Sequence, residues 1–255
     1  MILNTIDRKQ ILRLIQLCLL AILITANSCE EDRVQPKPPS SSKNKILPLG
    51  ASRVEGARPD FESYRYELWK LLRADDWDFD YVGTQTDEAD YEDLAEAEFD
   101  RDHEGRGGWT SGEIREGLEG WLENVGAVDI VLFSSPGGND ILNGLASFDE
   151  TVANLNAIID LLQERNPNVT ILIEELAPGM SSFMTPELTQ NFERMQEVVI
   201  DIAAQQTTGN ARVLTVDMFT GFNDSLLADE VHYNEAGAQF VAERYHDILK
   251  DLLER

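Results

Sequence analysis

An α/β fold of three layers, with helices packed on both faces of a largely parallel sheet, is predicted by three features of the sequence. Short apolar runs alternate with longer amphipathic ones from Lys45 to the C-terminus. The short runs lack polar alternation, as strands covered on both faces require. The 255 residues, 42% hydrophobic and 27% charged, fit one ordinary domain with a core large enough to need no staples.

Taken in order, Ile46-Leu47-Pro48-Leu49 forms a first strand ending at Gly50. Residues 63–73 are amphipathic, with Tyr66, Leu68, Trp69, Leu71 and Leu72 as the apolar set. Phe79-Asp80-Tyr81-Val82 is a second strand, residues 111–123 a helix, and Ile130–Phe133 a fully apolar third strand. Residues 148–165 place Val152, Leu155, Ile158, Ile159 and Leu162 at helical spacing. Residues 169–173 are the fourth strand. A helix over 186–205 opens with Pro186, suited to a first turn, and buries Leu188, Phe192, Met195, Val199 and Ile202. Residues 212–216 are the fifth strand, and 234–253 a closing helix. Right-handed crossovers wind this order into a three-layer α/β/α sandwich around a five-stranded parallel, doubly wound (flavodoxin-like) sheet. Ligands of such sheets bind beyond the carboxyl ends of the strands, so polar residues just after strands are the functional candidates.

The formal net charge is −26. Such a surface repels phosphate backbones and anionic headgroups, which excludes nucleic acid and acidic lipid as partners and leaves a neutral sugar unaffected. The two cysteines, Cys18 and Cys29, make neither a disulfide framework nor a zinc site. Arg8, Lys9 and Arg13 flank an apolar run over 14–24, too short for a bilayer and the length of a signal-peptide core. Ala26-Asn27-Ser28-Cys29 then resembles a bacterial, Bacteroidetes-type lipobox. That resemblance implies loss of residues 1–28 and lipidation of Cys29; a plain secretory signal is the alternative. Glu30-Glu31-Asp32 resembles a surface-export signal of such lipoproteins. Residues 33–44, with three prolines and three serines, are a tether. The expected organisation is a signal over 1–28, a lipidated tether over 29–44, and one monomeric domain over 45–255. It is held at the outer membrane of a cell envelope only through its anchor.

Four strand ends carry suspicious motifs. After strand one, Ser52 lies on a turn in Gly50-Ala51-Ser52-Arg53-Val54-Glu55-Gly56, which is not a GxSxG elbow. After strand two, an acidic stretch leads to Gly105, Gly107 and Gly108 before a helix, where a backbone N–H can face an anion. After strand three, Asn139 offers an amide beside Gly137 and Gly138, the alternative being an Asn139-Asp140 helix cap. After strand five, Asp229 and His232 are three apart, so the carboxylate can accept the Nδ1–H and leave Nε2 as a base. A serine hydroxyl needs such a base, and the oxyanion it generates needs preorganised donors. Together these residues suit acyl transfer.

With those residues in view, the sequence over 45–255 resembles the SGNH (GDSL-type) hydrolase superfamily. The resemblance implies Ser52 as nucleophile and oxyanion donor, Gly108 and Asn139 as further donors, Asp229 as orienter and His232 as base, with no metal or cofactor. The stretches ILPLGASRVEG, SYRYELWKLL, FDYVGTQ and DRDHEGRGGWTSGEI resemble carbohydrate esterase family 3, whose members remove acetyl groups from xylan. Two positions depart from the family pattern: Ala51 stands where it has aspartate, and Gly138 where it has threonine. The expectation is therefore a serine esterase acting on an O-acetylated polysaccharide through an acyl-enzyme. Alternatives are a lysophospholipase, arylesterase or thioesterase, or a non-catalytic glycan-binding lipoprotein, which Ala51 would favour.

Trp109 is a candidate to stack on a sugar or to anchor its loop, whereas Trp69 and Trp121 read as core. Arg53 is a candidate substrate contact, with a surface arginine as the alternative. The ten acidic residues between Asp87 and Glu104 lack EF-hand spacing and read as a solvated loop rather than a calcium site, and His246 reads as exposed. Residues 177–186, with Met180, Phe183 and Met184, are the one candidate lid.

Overall fold

The computed structural model describes residues 40–92 and 98–255. The expected signal, the lipidation site Cys29 and most of the tether lie outside the described residues.

Strands β1 (Lys45–Gly50), β5 (Ile130–Phe133), β6 (Thr170–Glu175) and β7 (Arg212–Asp217) pair in parallel in that order. The expected second strand, over 79–82, is present but fills only half of its lane in the sheet. Its lane is shared by β2 (Asp80–Tyr81), which pairs with the start of β1, and β4 (Asp102–Gly105), which pairs with its end. Antiparallel β3 (Gln85–Thr86) extends the edge, giving a seven-stranded sheet among the described residues. β3 and β4, of two and four residues in polar and acidic sequence, carry no apolar run, so periodicity could not find them.

Strand residues divide between the faces by the two-residue pleat. Leu47, Leu49, Val131, Phe133, Ile171 and Ile173 join one core cluster; Ile46, Ile130, Leu132 and Leu172 join the other. The first is covered by α3 (Ser111–Val125), α5 (Phe148–Arg165) and α6 (Pro186–Gln206). The second is covered by α2 (Tyr64–Ala74) and α7 (Glu235–Leu249). Short α1 (Ser52–Glu55) and α4 (Gly138–Asn143) follow β1 and β5 at the carboxyl edge of the sheet.

Helix starts follow local chemistry. Ser63, Thr110, Ser147, Thr185 and Asn234 cap α2, α3, α5, α6 and α7 by accepting first-turn N–H groups. Thr110 and Glu113 form a reciprocal capping box, and Pro186 occupies the first turn of α6.

Three acids of the Asp87–Glu104 stretch are built into the fold, whereas Glu88, Asp90, Glu92 and Glu98 are exposed as expected. Asp87 pairs with fully buried Arg65 at 2.7 Å and accepts from the Tyr91 hydroxyl. Asp100 accepts the Tyr81 N–H at 2.7 Å, and buried Glu104 binds Thr84 and Arg106. His103 is buried, and its Nδ1 accepts the Gly105 N–H. His246 is half-buried, with Nε2 2.9 Å from Asp75.

Burial pushes the Asp100 carboxyl up to about 7, against the pull of the Tyr81 and Asp102 N–H groups. The folded protein thus keeps a proton that the unfolded chain, with an aspartate pKa of about 3.9, releases. This contribution is present at low pH and is lost as pH rises from the unfolded value through the folded one. Asp100→Asn should therefore gain on wild type between about pH 5 and pH 8, by roughly 2 kcal/mol in urea unfolding. A gap that does not change with pH would contradict this.

Candidate active site

β1 ends at Gly50, and two residues later Ser52 opens α1. The Ser52 Oγ lies 2.9 Å from His232 Nε2, and His232 Nδ1 lies 2.7 Å from Asp229 Oδ2. The other carboxylate oxygen accepts the Val231 and His232 N–H groups at 2.9 and 2.8 Å. Burial pushes the Asp229 carboxyl up, but the Val231 N–H and the His232 ring and N–H outweigh it and hold it below the usual aspartate range. An ionised carboxylate only accepts, so it places the imidazole proton on Nδ1 and leaves Nε2 to take the serine proton. Phe61 stacks on the ring, with centroids 3.9 Å apart and planes at 12°.

The loop after β4 approaches from the other side. The Arg106 N–H donates to Gly50 O at 3.1 Å, and the Trp109 N–H closes a turn onto Arg106 O at 3.2 Å. Gly108 takes a φ of 79° between them, a conformation that costs a residue with Cβ but not glycine. Its N–H has no acceptor among the described residues. Asn139, in the first turn of α4, donates Nδ2–H to Trp109 O at 2.9 Å and keeps its second amide N–H. Beside it, buried Asp140 accepts the Ser111 N–H at 2.8 Å and the Ser111 hydroxyl at 2.7 Å. Asp140 is therefore a brace to the start of α3, not a cap of its own helix. It fixes the Gly108 loop against α4.

Ser52, Trp109 and Asn139 line one cavity, of about 40 Å³, with Ile114, Phe133, Leu142, Leu176 and Phe192 as apolar walls.

The structure corrects several readings. Arg53 is not on the surface; it is buried, and its guanidinium donates to Val231 O, Ala177 O, Pro178 O and the Ser135 hydroxyl. Trp109 lies half-buried beside Trp121, with Arg106 over both rings. Trp69 is core as expected, whereas Trp121 is only partly buried. The candidate lid segment is tied to neighbouring loops. The Met180 N–H donates to Glu230 O, and Ser181 donates its N–H and hydroxyl to Asp224. Among the described residues, no group of three His, Cys, Asp or Glu side chains is placed to hold a metal, and no helix is long and apolar enough to cross a membrane.

Sequence reasoning missed Phe61, Arg65 and Glu174. Arg65 donates to Val54 O and Glu55 O, the last carbonyls of α1, at 2.7 and 2.9 Å. Glu174, buried at the end of β6, accepts the Ser135 N–H and the Tyr245 hydroxyl. Burial raises its carboxyl against those bonds and the nearby Arg53 charge. An arginine inside an amphipathic helix and a glutamate ending a strand carry no local mark of such roles.

Residues 63–240, starting just past Ser52, match the model of the GDSL-like lipase/acylhydrolase family. The chain belongs to this family. Solved structures of similar fold include esterases. A carbohydrate esterase family 3 protein from Talaromyces cellulolyticus is 26% identical, with a TM-score of 0.71 over 82% of this chain and 97% of that one. An acetyl esterase mutant, a serine replaced by alanine, was solved with an acetate ion; it gives the same identity, TM-score and coverage. A family 3 carbohydrate esterase from Clostridium thermocellum is 28% identical, with a TM-score of 0.65 over 83% of this chain and 99% of that one. No curated protein matches. Family and fold make this chain an esterase-type hydrolase.

Asp140→Asn keeps one acceptor and turns the other into a donor facing the donors of buried Ser111. It should lower stability by about 2 kcal/mol in denaturant unfolding, the scale of a lost buried charged hydrogen bond. A loss below about 0.5 kcal/mol would show that the brace is not needed.

Proposed function

We propose that this protein is a serine esterase that removes O-acetyl groups from a neutral polysaccharide, with acetylated xylan the first substrate to test. The observation that carries the proposal is the unbroken hydrogen-bond chain from Asp229 through His232 to Ser52, beside a small cavity with apolar walls. The names of the family 3 carbohydrate esterases and of the acetyl esterase support the ester and its sugar context. The net charge of −26 disfavours anionic substrates.

In the proposed mechanism Ser52 attacks the acetyl carbonyl while His232 Nε2 takes its proton. Asp229 holds the tautomer and stabilises the imidazolium that forms. The carbonyl oxygen becomes an oxyanion, held by the N–H groups of Ser52 and Gly108 and the free amide N–H of Asn139. Each such donor lowers the barrier by about 3 kcal/mol. His232 then protonates the sugar oxygen, the carbonyl carbon–sugar oxygen bond breaks, and the acetyl-serine ester remains. Water, deprotonated by His232, attacks that ester; the bond to Ser52 breaks as His232 returns the proton to its Oγ, and acetate leaves. The acetyl methyl sits among Ile114, Phe133, Leu142 and Leu176. Ala51 leaves this chain of bonds intact, so the observations favour an enzyme over a glycan-binding scaffold. The lipobox-like sequence ending in Cys29 supports tethering at the cell envelope.

Hydrolysis of p-nitrophenyl acetate should fall by at least about 10³-fold in Ser52→Ala, with folding unchanged. Serine-independent turnover, or none in folded wild type, would sink the proposal. The cavity also sets a chain-length limit: kcat/KM for an eight-carbon acyl ester should be lower than for acetate by about tenfold or more. Equal rates would mean that the acyl group lies elsewhere.

A further inference from the structure

One turn of helix cannot hold its own shape, because nucleation fixes several residues for a single hydrogen bond. A capping side chain before the turn usually helps by accepting an N–H. Ala51 occupies that position in α1 and offers no such bond. Ser52 nonetheless meets His232 at 2.9 Å, so its position is fixed by other groups.

Two side chains of the same turn reach outward to the two halves of the site. Arg53, the residue after Ser52, donates Nε–H to Val231 O at 2.8 Å, and Val231 immediately precedes His232. Its remaining bonds go to Ala177 O, Pro178 O and the Ser135 hydroxyl at 2.9, 3.2 and 3.2 Å, and the guanidinium lies 4.7 Å from the Tyr233 ring centroid. A planar fork with several fixed donors constrains direction as well as distance. Glu55, three residues after Ser52, accepts the Gly107 N–H at 2.6 Å, and Gly107 immediately precedes Gly108. One side chain thus sets the distance from the nucleophile to the base, and the other the distance from the nucleophile to the oxyanion loop.

We infer that Arg53 and Glu55 are positioning residues that align His232 and Gly108 on Ser52 in place of a capping side chain at residue 51. The inference rests on the serine-esterase reading above. Each acts through the residue next to its partner: Val231 before His232, and Gly107 before Gly108. A misplacement of about 1 Å can cost about two orders of magnitude in rate, so loosening either link should be read in kcat.

The test compares wild type, Ser52→Ala, Glu55→Ala, Glu55→Gln and Arg53→Lys on p-nitrophenyl acetate, with thermal unfolding and Gly107 amide hydrogen exchange measured on each. Glu55 is only half-buried, so its variants should fold as wild type does. Glu55→Ala is expected to lower kcat about tenfold with KM within about twofold, and to speed exchange at Gly107. Glu55→Gln keeps an oxygen that accepts the Gly107 N–H and should recover most of the rate. Arg53→Lys keeps the charge but loses the fork, and should lower kcat at least as far. Wild-type kcat in both Glu55→Ala and Arg53→Lys, with serine-dependent turnover in wild type, overturns the inference and leaves the esterase reading standing. Absence of serine-dependent turnover in wild type overturns the esterase reading. Exchange at Gly107 then decides the Glu55 link alone: unchanged protection in Glu55→Ala refutes it, and lost protection upholds it.

Discussion

The buried guanidinium of Arg65 is the contact on which the catalytic edge of this sheet depends. It is fully enclosed, and it binds Val54 O, Glu55 O and the Asp87 carboxylate at once. An enclosed charge is tolerated only when paired and hydrogen-bonded, and this one meets both conditions. Its partners belong to two pieces of chain, α1 and the acidic stretch before β4, which Arg65 joins to its own helix, α2. Ser63 adds a hydroxyl to the same Val54 carbonyl, at 2.7 Å. The carbonyl end of a single helical turn is thereby closed by side chains from α2, and the turn that presents Ser52 becomes rigid.

The split second lane of the sheet follows from the same geometry. β2 leaves β1 after two residues, and β4 takes its place beside Leu49 and Gly50. β4 then runs directly against α1. A Cβ at Gly105 would collide with the backbone of Val54 and Glu55, so only glycine permits the approach. The loop that follows is delivered to within hydrogen-bond reach of the nucleophile's own helix, where Glu55 and Gly50 O receive it. On the far side, Asp140 and Ser111 fasten that loop to α4, so Gly108 is held between two short helices. The acidic residues that give the chain its charge are thus partly internal braces, Asp87, Asp100 and Glu104 among them.

Much of this was legible in sequence. Ile130–Phe133 and Phe148–Arg165 fall where apolar run and helical spacing put them, since both signals depend only on covering a sheet face. Ser52, Asn139, Asp229 and His232 stood out because the doubly wound fold collects residues from strand ends at one edge. The hydrogen-bond chain among Ser52, His232 and Asp229 and the Asn139 contact to the Gly108 loop place them there. What failed was the reading of isolated charges. Arg53 was read as a substrate contact or a surface residue, and the stretch from Asp87 to Glu104 as a solvated loop, because charged residues are usually exposed. Arg53, Asp87, Asp100 and Glu104 are exceptions, enclosed or partly enclosed with partners for their donors and acceptors.

The sequence by itself determined the layer order, the edge of the sheet that carries chemistry and the residue types able to perform it. Each of these follows from periodicity and from position after a strand. Only the tertiary structure decided which charges are braces, that Phe61 covers His232, and that the recess beside Ser52 is small. Those features join residues far apart along the chain, Arg53 with Val231 and Glu55 with Gly107 among them. Such contacts leave no periodic trace in sequence, because they are specified by where elements cross rather than by how any one element repeats.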